Sequence, residues 1–253
     1  MRFCLVFTFT VSAFAGPSAR ILETAPIRFE PHSGAWVAKG LNHSITFTGR
    51  ATTLRLGEHS VKMTLTGSSA HAKLAGSDPQ VASNYFTGRE YTSVPAFARL
   101  RRKSVYAGID MVYYGTGGEL EYDFEIAPGA KPSAIRMHFE GADHIAVNER
   151  NEIVLSLGES KILQRAPVVY QKLASGEIVS IPSRYRIDKH GDVRVELSGY
   201  DRSKPLVIDP VLNFSAFLFG SSTDIGIAVA HDPNGNVYIA GNTWSGDFPV
   251  TEP

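Results

Sequence analysis

Four carboxylates alternate with apolar residues in the segment 118–129, which reads GELEYDFEIAPG. The acidic residues are Glu119, Glu121, Asp123 and Glu125. On a β-strand, side chains two positions apart share a face and lie about 6.6–7 Å from each other. This separation suits the acid and the base of an inverting glycosidase, and several carboxylates on one face could also bind a hard cation such as Ca²⁺. The segment is therefore the first candidate for a catalytic or metal site.

A structural role competes with a catalytic one for the same carboxylates. After a turn, the chain continues IRMHFEG at 135–141, where Arg136 and His138 alternate with apolar residues. If this segment pairs antiparallel with the acidic strand, the two basic side chains lie opposite the carboxylates. Each cross-strand pair of opposite charges then stabilises the sheet by roughly 0.2–1 kcal/mol. We expect a solvated, charge-paired face, with the catalytic and calcium hypotheses as alternatives.

Other local motifs of catalysis are absent from the sequence. It contains no G-x-S-x-G nucleophile elbow and no H-E-x-x-H metal motif, and its eight histidines do not cluster at ligand spacing. No glycine-rich loop precedes a helical pattern, so a phosphate-binding loop is not expected. The sequence predicts a protein that is not an enzyme and binds no cofactor.

Alternation of apolar and polar residues with a period of two runs through most of the chain, and no long helical pattern interrupts it. SITFT at 44–48 and VKMTLT at 61–66 are examples, and turn residues such as Pro128 and Gly129 separate successive segments. The fold class predicted is all-β, a β-sandwich or a set of packed antiparallel sheets. Residues 68–83 contain few large apolar side chains and are predicted to form a loop or an irregular linker.

The charges of the chain are balanced, with 25 Lys and Arg residues against 25 Asp and Glu residues. Proteins that bind nucleic acid usually carry a basic excess or stripe, so the balance argues against a nucleic-acid partner. Arg99, Arg101, Arg102 and Lys103 form the one basic cluster in the sequence. We expect this cluster on a solvated edge strand, where charge protects against aggregation.

The N-terminus has the pattern of a secretory signal peptide. One positive charge precedes an apolar run that ends in Ala13-Phe14-Ala15, a small-x-small cleavage pattern. We expect residues 1–15 to be removed, the mature chain to be secreted, periplasmic or at the cell surface, and no transmembrane segment to remain after cleavage. The sole cysteine, Cys4, lies in this segment, so we expect no disulfide in the mature chain.

The segment 213–253 differs in its residue pattern from the rest of the chain. It carries three short apolar strand patterns, and the last two are separated by the turn Asp232-Pro233-Asn234-Gly235, where Asn-Gly tolerates positive φ. From Asp224 onward the sequence DIGIAVAHDPNGNVYIAGNTWSGDFP resembles the SBBP repeat, a bacterial β-propeller unit. The matching positions are Asp224, Asp232, Gly235, Asn236, Tyr238, Gly241, Thr243, Ser245, Asp247, Phe248 and Pro249.

The preceding part of the chain resembles the uncharacterised β-rich domain that commonly stands before such repeats in secreted bacterial proteins. The strings that carry this resemblance include NYFTG at 84–88, LEYDF at 120–124 and YDRSKPLVIDPVL at 200–212. The expected organisation is a signal peptide, a β-rich domain over 20–212 and a first propeller repeat over 213–253. The resemblance implies export and a propeller context, and it brings no catalytic residue, substrate or cofactor.

A single propeller blade cannot bury both of its faces, because propellers are built from four to eight blades. We therefore expect the repeat to be the beginning of a longer propeller, cut short here. The alternative is that it packs on the upstream domain or on a second chain through the aromatic side chains Phe214, Phe217, Phe219 and Trp244.

Three functions fit the sequence. The first is an exported non-enzymatic protein whose β-rich domain is a cap or adaptor leading into a β-propeller that binds a protein or glycan ligand at the cell surface. The second is a carbohydrate-active hydrolase or a glycan-binding domain that uses the acidic segment 119–125. The third is a structural surface or adhesion component.

Overall fold

The computed structural model describes residues 27–39, 43–87, 90–116, 119–158, 160–173, 175–210, 212–213, 224–231, 237–244 and 246. The described part of the chain consists mainly of β-strands, with one short 3₁₀ turn at Pro132–Ala134. The all-β prediction is confirmed. Among the described residues, no helix has the length and apolar character needed to cross a bilayer.

In chain order the strands are β1 (Phe29–His32), β2 (Ala35–Lys39), β3 (His43–Phe47), β4 (Ala51–Leu56), β5 (His59–Leu65), β6 (Leu74–Thr87), β7 (Glu90–Tyr106), β8 (Ile109–Thr116), β9 (Glu119–Ile126), β10 (Met137–Glu140), β11 (His144–Val147), β12 (Ile153–Leu157), β13 (Ser160–Gln164), β14 (Val168–Lys172), β15 (Ile178–Ser180), β16 (Ser183–Ile187), β17 (Val193–Leu197), β18 (Leu206–Asp209), β19 (Leu212–Asn213), β20 (Asp224–His231) and β21 (Val237–Thr243).

Most of these strands belong to one antiparallel sheet. Its order is β15-β14-β18-β9-β8-β7-β1-β2-β3-β4-β5-β10-β17-β16, and β6 pairs with β7 beside this path. A smaller sheet has the order β11-β12-β13-β19, and β20 pairs with β21 in a separate hairpin. Many neighbours are hairpins between consecutive strands, whereas β9 with β18 and β1 with β7 join strands that are distant in the chain.

The large sheet bends over on itself to enclose a core. Phe47 on β3 and Tyr113 on β8 are separated by three strands in the sheet, yet their ring centroids are 4.7 Å apart. Tyr113 also shares a hydrogen bond of 2.6 Å with the hydroxyl of Thr52 on β4. Contacts across such a distance in strand order require the sheet to curl, since neighbouring strands lie only about 4.8 Å apart within it. The alternating apolar side chains predicted from the sequence line the enclosed side.

The smaller sheet joins this core through a buried glutamine. Gln164 on β13 has no exposed surface. Its side-chain oxygen accepts a hydrogen bond of 2.9 Å from the Tyr122 hydroxyl on β9, and its amide donates one of 2.8 Å to the Tyr185 hydroxyl on β16. Burial is the first cause that raises the pKa of both phenols, so both stay neutral and available for hydrogen bonding. One side chain thus connects three parts of the molecule.

Two predictions from the sequence are wrong. Residues 74–83, predicted as part of a loop, belong to β6, which pairs with β7 through main-chain groups. Many β6 side chains are exposed, for example Val81 at 79%, so this strand leaves no apolar alternation in the sequence. The basic cluster does not lie on an edge strand, because β7 is paired on both sides, with β6 and with β8.

Arg102, the third member of the basic cluster, points into the core. It is 3% exposed, and its guanidinium donates a hydrogen bond of 2.7 Å to the backbone oxygen of Thr48. The same group lies 5.7 Å from the centroid of the Tyr113 ring. Arg102 is therefore part of the interior, whereas Arg101, next to it on β7, points to the outer face.

Replacing Gln164 by leucine is expected to lower the free energy of unfolding by about 2–4 kcal/mol, because two buried phenol hydroxyls lose their hydrogen bonds to the amide while volume is nearly kept. Urea unfolding of the purified protein measures the change. In the Gln164→Leu background, adding Tyr122→Phe and Tyr185→Phe should recover part of the loss, because an apolar replacement of every partner leaves no buried hydroxyl unsatisfied. A Gln164→Leu variant as stable as the parent protein contradicts the role of this connection.

Candidate functional site

The acidic strand β9 has the two faces that the sequence predicts. The side chains of Leu120, Tyr122, Phe124 and Ile126 are buried in the core. Glu121, Asp123 and Glu125 lie on the opposite, partly exposed face. The side chain of Glu119 lies outside the described part of the structure. The alternation is thus confirmed for residues 120–126, and three carboxylates share the outer face of the sheet.

The partner strand predicted for β9 is wrong. The segment that contains Arg136 and His138 does not pair with β9, because β10 lies between β5 and β17. His138 instead lies 3.0 Å from the buried carboxylate of Asp192, measured from Nδ1 to Oδ1. Both sides of β9 are occupied by other strands, β8 and β18. The chain therefore crosses from one part of the sheet to another after residue 127 instead of forming a hairpin.

The charge partner of the acidic face is Arg101, which reaches over β8. Its two terminal nitrogens bind Glu125 at 2.6 and 3.1 Å, and one of them also binds Asp110 at 3.0 Å. The hydrogen bond to Glu125 is the first cause that raises the pKa of Arg101. A forked contact of this kind is among the stronger ion pairs in proteins. A charge-paired face is present, with a partner that the sequence analysis did not assign.

Asp123 has a neighbour that the sequence analysis did not find. Asp209 on β18 lies one position beyond the pair Ile208–Phe124, so it stands beside Asp123 on the same outer face. Burial raises the pKa of both carboxyls to about 6, and the charge of the other acidic groups adds to this: Asp209 acts on Asp123, and Glu121 acts on Asp209. Sequence alone has no local signal for this pair, since the two residues are far apart in the chain.

Tyr114 on β8 completes this group. Its hydroxyl donates a hydrogen bond of 2.9 Å to Asp123. Burial, together with the neighbouring carboxylates, raises the pKa of this phenol, so it remains a donor. Arg99 lies over the Tyr114 ring at 5.2 Å from the centroid. By contrast, Oδ1 of Asp209 is buried without a hydrogen-bond partner among the described residues.

The acidic face of β9 does not line the open cleft of the structure, and this limits the reactions that it can catalyse. An open cleft of about 960 Å³ is lined by residues of 129–133, β16, β17 and 198–202, and none of its lining residues belongs to β9. Within the described residues, no three His, Cys, Asp or Glu side chains are grouped so that they could hold a metal ion. The carboxyls at Asp123 and Asp209 can exchange a proton near pH 6 and take part in hydrogen bonds. Calcium binding by this strand stays a prediction.

The structure describes two of the three strands predicted for the repeat region, and the first, at 214–219, lies outside the described residues. β20 and β21 form an antiparallel hairpin with an irregularity between Gly226 and Ala228. Of the motif residues, Asp224, Tyr238, Gly241 and Thr243 lie on these two strands. The other motif positions, Asp232, Gly235, Asn236, Ser245, Asp247, Phe248 and Pro249, lie outside the described residues, as do Phe214, Phe217 and Phe219. Trp244 is 61% exposed.

Comparison with known families matches both parts of the chain. The model of a family described as a domain of unknown function, DUF7948, matches residues 31–211. The model of a β-propeller repeat, SBBP, matches residues 218–249. No curated protein and no solved structure matches the chain. The resemblance to an SBBP repeat preceded by an uncharacterised domain is confirmed.

Replacing Asp209 by asparagine is expected to stabilise the protein at pH 8 and not at pH 4. A carboxyl whose pKa is raised from 3.8 to about 6 on folding favours the folded state below pH 4 and loses this contribution as the pH rises through 6. Because Asp209 is only half-buried, we expect a gain on the order of 1 kcal/mol at pH 8. Urea unfolding of the two proteins at pH 4, 6 and 8 measures it.

The matched control is Glu125→Gln, which removes one charge from the neighbouring strand. It breaks the ion pair with Arg101, so it should destabilise the protein at pH 8 by up to about 1 kcal/mol. Equal effects of the two substitutions, or a gain from Asp209→Asn that is independent of pH, would contradict the pKa assignment.

Proposed function

We propose that the protein is an exported, non-enzymatic binding module. The chain belongs to the DUF7948 family and carries an SBBP β-propeller repeat after its family domain. Its β-rich domain acts as a cap or adaptor that leads into the propeller. The observation that carries the proposal is the succession of the two units in one chain. β-Propellers present binding surfaces in many unrelated proteins, and a binding role for this chain follows by analogy at the level of fold.

The contacts of the acidic strand support a role without catalysis. Glu125 is held by the fork of Arg101, and Asp123 accepts a hydrogen bond from Tyr114. A glycosidase needs two carboxylates that face the same bound sugar, one on each side of the scissile bond. The open cleft, in contrast, is lined by other parts of the chain. These contacts account for Glu125 and Asp123 without a catalytic role.

Export is supported by the N-terminal sequence. A positive charge, an apolar run and the sequence Ala13-Phe14-Ala15 follow one another in the order that a signal peptidase recognises. A protein of this kind functions in the periplasm, at the cell surface or outside the cell. A structural role in the surface layer or in adhesion is compatible with the same location.

A carbohydrate-active hydrolase is the second candidate, and one observation favours it. The pKa values of Asp123 and Asp209, about 6, suit an acid that donates a proton near neutral pH. In this case the acidic outer face of β9, with Glu121 beside the pair, forms the reaction site.

Hydrolysis assays distinguish these two functions. We expect no release of reducing ends from a panel of neutral and acidic polysaccharides, either by the parent protein or by Glu121→Gln and Asp123→Asn. Glu140→Gln, which changes an exposed carboxylate on β10, is the control for a change of charge alone. Hydrolysis by the parent protein that is lost in Glu121→Gln or Asp123→Asn, and kept in Glu140→Gln, would overturn the non-enzymatic role.

Export has its own test. When the chain is produced with its N-terminus in a Gram-negative host, mass spectrometry of the periplasmic fraction is expected to show a protein that begins at Gly16. Val6→Arg introduces a charge into the apolar run and should leave an uncleaved protein in the cytosol, because the run no longer inserts. Recovery of the parent protein from the cytosol with its first 15 residues intact would contradict export.

A further inference from the structure

The cleft of about 960 Å³ has walls from separate parts of the chain. The backbone N–H of Gly129 donates a hydrogen bond of 2.8 Å to the carbonyl of Arg202, and Nη1 of Arg194 lies 3.4 Å from the carbonyl of Ser133. These bonds join the segment 129–133 to the segment 198–202 and to β17. The cleft is therefore formed by the fold itself. Its volume is at the upper end of the range of ligand sites, about 300–1,000 Å³, and suits an extended ligand of several units.

Positive charge is concentrated in this cleft. Its lining includes the cations Lys131, Arg184, Arg194 and Arg202, but only one carboxylate, Glu196. The whole chain is neutral, so this excess is a local separation of charge. A concave surface lined by one sign of charge concentrates ligands of the opposite sign. The electrostatics of the cleft favour an anionic ligand.

The four cations differ in how they are held. Arg184 binds Glu196 at 2.7 Å, and Arg194 binds Asp188 at 2.8 Å. The bond from Arg194 lowers the pKa of Asp188 to about 2, so that pair stays ionised over the physiological range. Lys131 and Arg202 are exposed and have no ion-pair partner within the described residues. These two side chains are available to a ligand.

The lining of the cleft suits a carbohydrate better than a peptide. Tyr200 is partly buried and offers a ring, and Ser133 and Ser198 offer hydroxyl groups. Sugars carry both hydroxyl groups and apolar C–H faces, and aromatic rings with a few polar groups are typical of such sites.

A peptide that added a strand to the sheet would need a free edge on β16. At this edge, the side chain of Asn151 accepts a hydrogen bond of 2.8 Å from the N–H of Tyr185 and lies 3.4 Å from the carbonyl of Ser183. The edge is therefore already occupied beside the cleft.

We propose that this cleft binds an acidic polysaccharide. Lys131 and Arg202 contact its carboxylate or sulfate groups, and Tyr200 packs against a sugar ring. The inference rests on the proposed role as a binding module and adds the chemical class of the ligand. It assigns the site to the family domain, within residues 129–202, and not to the propeller repeat.

Calorimetric titration of the full chain tests this assignment with four probes: polygalacturonate, dextran sulfate, neutral dextran and poly-L-glutamate. We expect at least one of the two acidic polysaccharides to bind, neutral dextran not to bind, and poly-L-glutamate to bind more weakly. Binding should weaken as NaCl is raised from 50 to 300 mM, since exposed charges are screened. The two acidic polysaccharides distinguish a carboxylate ligand from a sulfate ligand.

The decisive comparison uses two double variants of equal charge. Lys131→Gln with Arg202→Gln is expected to raise the Kd about tenfold, because two rim cations that contact the ligand are lost. Arg55→Gln with Lys103→Gln removes the same residue types from exposed positions on β4 and β7 and should change the Kd less than twofold. Tyr200→Ala should weaken polysaccharide binding, and Tyr200→Phe should keep it. Equal melting temperatures of the two double variants and of Tyr200→Phe show that the fold is intact. Tyr200→Ala removes a side chain that packs against the core, so its binding is measured well below its own melting temperature.

Four outcomes would overturn the inference: no binding of either acidic polysaccharide, equal loss in the two double variants, equal binding of neutral dextran, or tighter binding of poly-L-glutamate. The last result would identify an acidic peptide as the ligand. Cleavage of a bound polysaccharide is a different result, because it would refute the non-enzymatic role while leaving the cleft as the binding site. Failure to bind, with normal export and no hydrolysis, would refute only the cleft assignment.

Discussion

The contact between Phe47 and Tyr113 is the constraint on which the rest of the structure depends. A long antiparallel sheet with apolar side chains on one face leaves that face in water unless it bends. The centroid distance of 4.7 Å shows that strands separated in the sheet meet across its interior. Once the sheet is curled, β12 and β13 close the enclosed space, and Gln164 connects them to Tyr122 and Tyr185.

In the curled sheet, the inner face forms the core and the outer face carries the polar contacts. Along β9, the inner residues complete the core, and the outer carboxylates meet partners from β7, β8 and β18. Of the cations of the cleft, Arg184 and Arg194 lie on β16 and β17, whereas Lys131 and Arg202 lie in the segments that follow β9 and precede β18. The acidic face and the cleft are lined by different residues in a chain whose net charge is zero. Glu125 and Asp123 have partners within the fold, whereas Lys131 and Arg202 have no ion-pair partner among the described residues. This difference is the physical basis for proposing a structural role for the acidic face and a binding role for the cleft.

Local patterns in the sequence predicted what depends on local chemistry. Alternation in 120–126 gave the two faces of β9, and the motif from Asp224 gave the repeat family. Pairing between distant strands was not predictable in this way, so Arg136 and His138 were assigned to the wrong neighbour, and Asp209 was missed. β6 was missed for another reason: none of its side chains described at 74–85 is buried, so no alternation of apolar residues indicates the strand. No local pattern in the sequence indicated the cleft, because its lining residues come from separate segments of ordinary composition.

The pairing of β6 with β7 has a consequence for how this family can change over time. Within the described structure β6 pairs through its backbone with β7, and side chains such as Val81 are exposed, whereas Ser83 and Tyr85 donate hydrogen bonds to Glu30 on β1. Residues 77–82 of this strand include Pro79 and bury no side chain, so selection there acts mainly on the capacity to stay extended. Related proteins should therefore diverge more along residues 77–82 than along NYFTG at 84–88 while keeping the same backbone course. This part of the strand is then a poor landmark for tracing ancestry and a tolerant place to carry an epitope or a label.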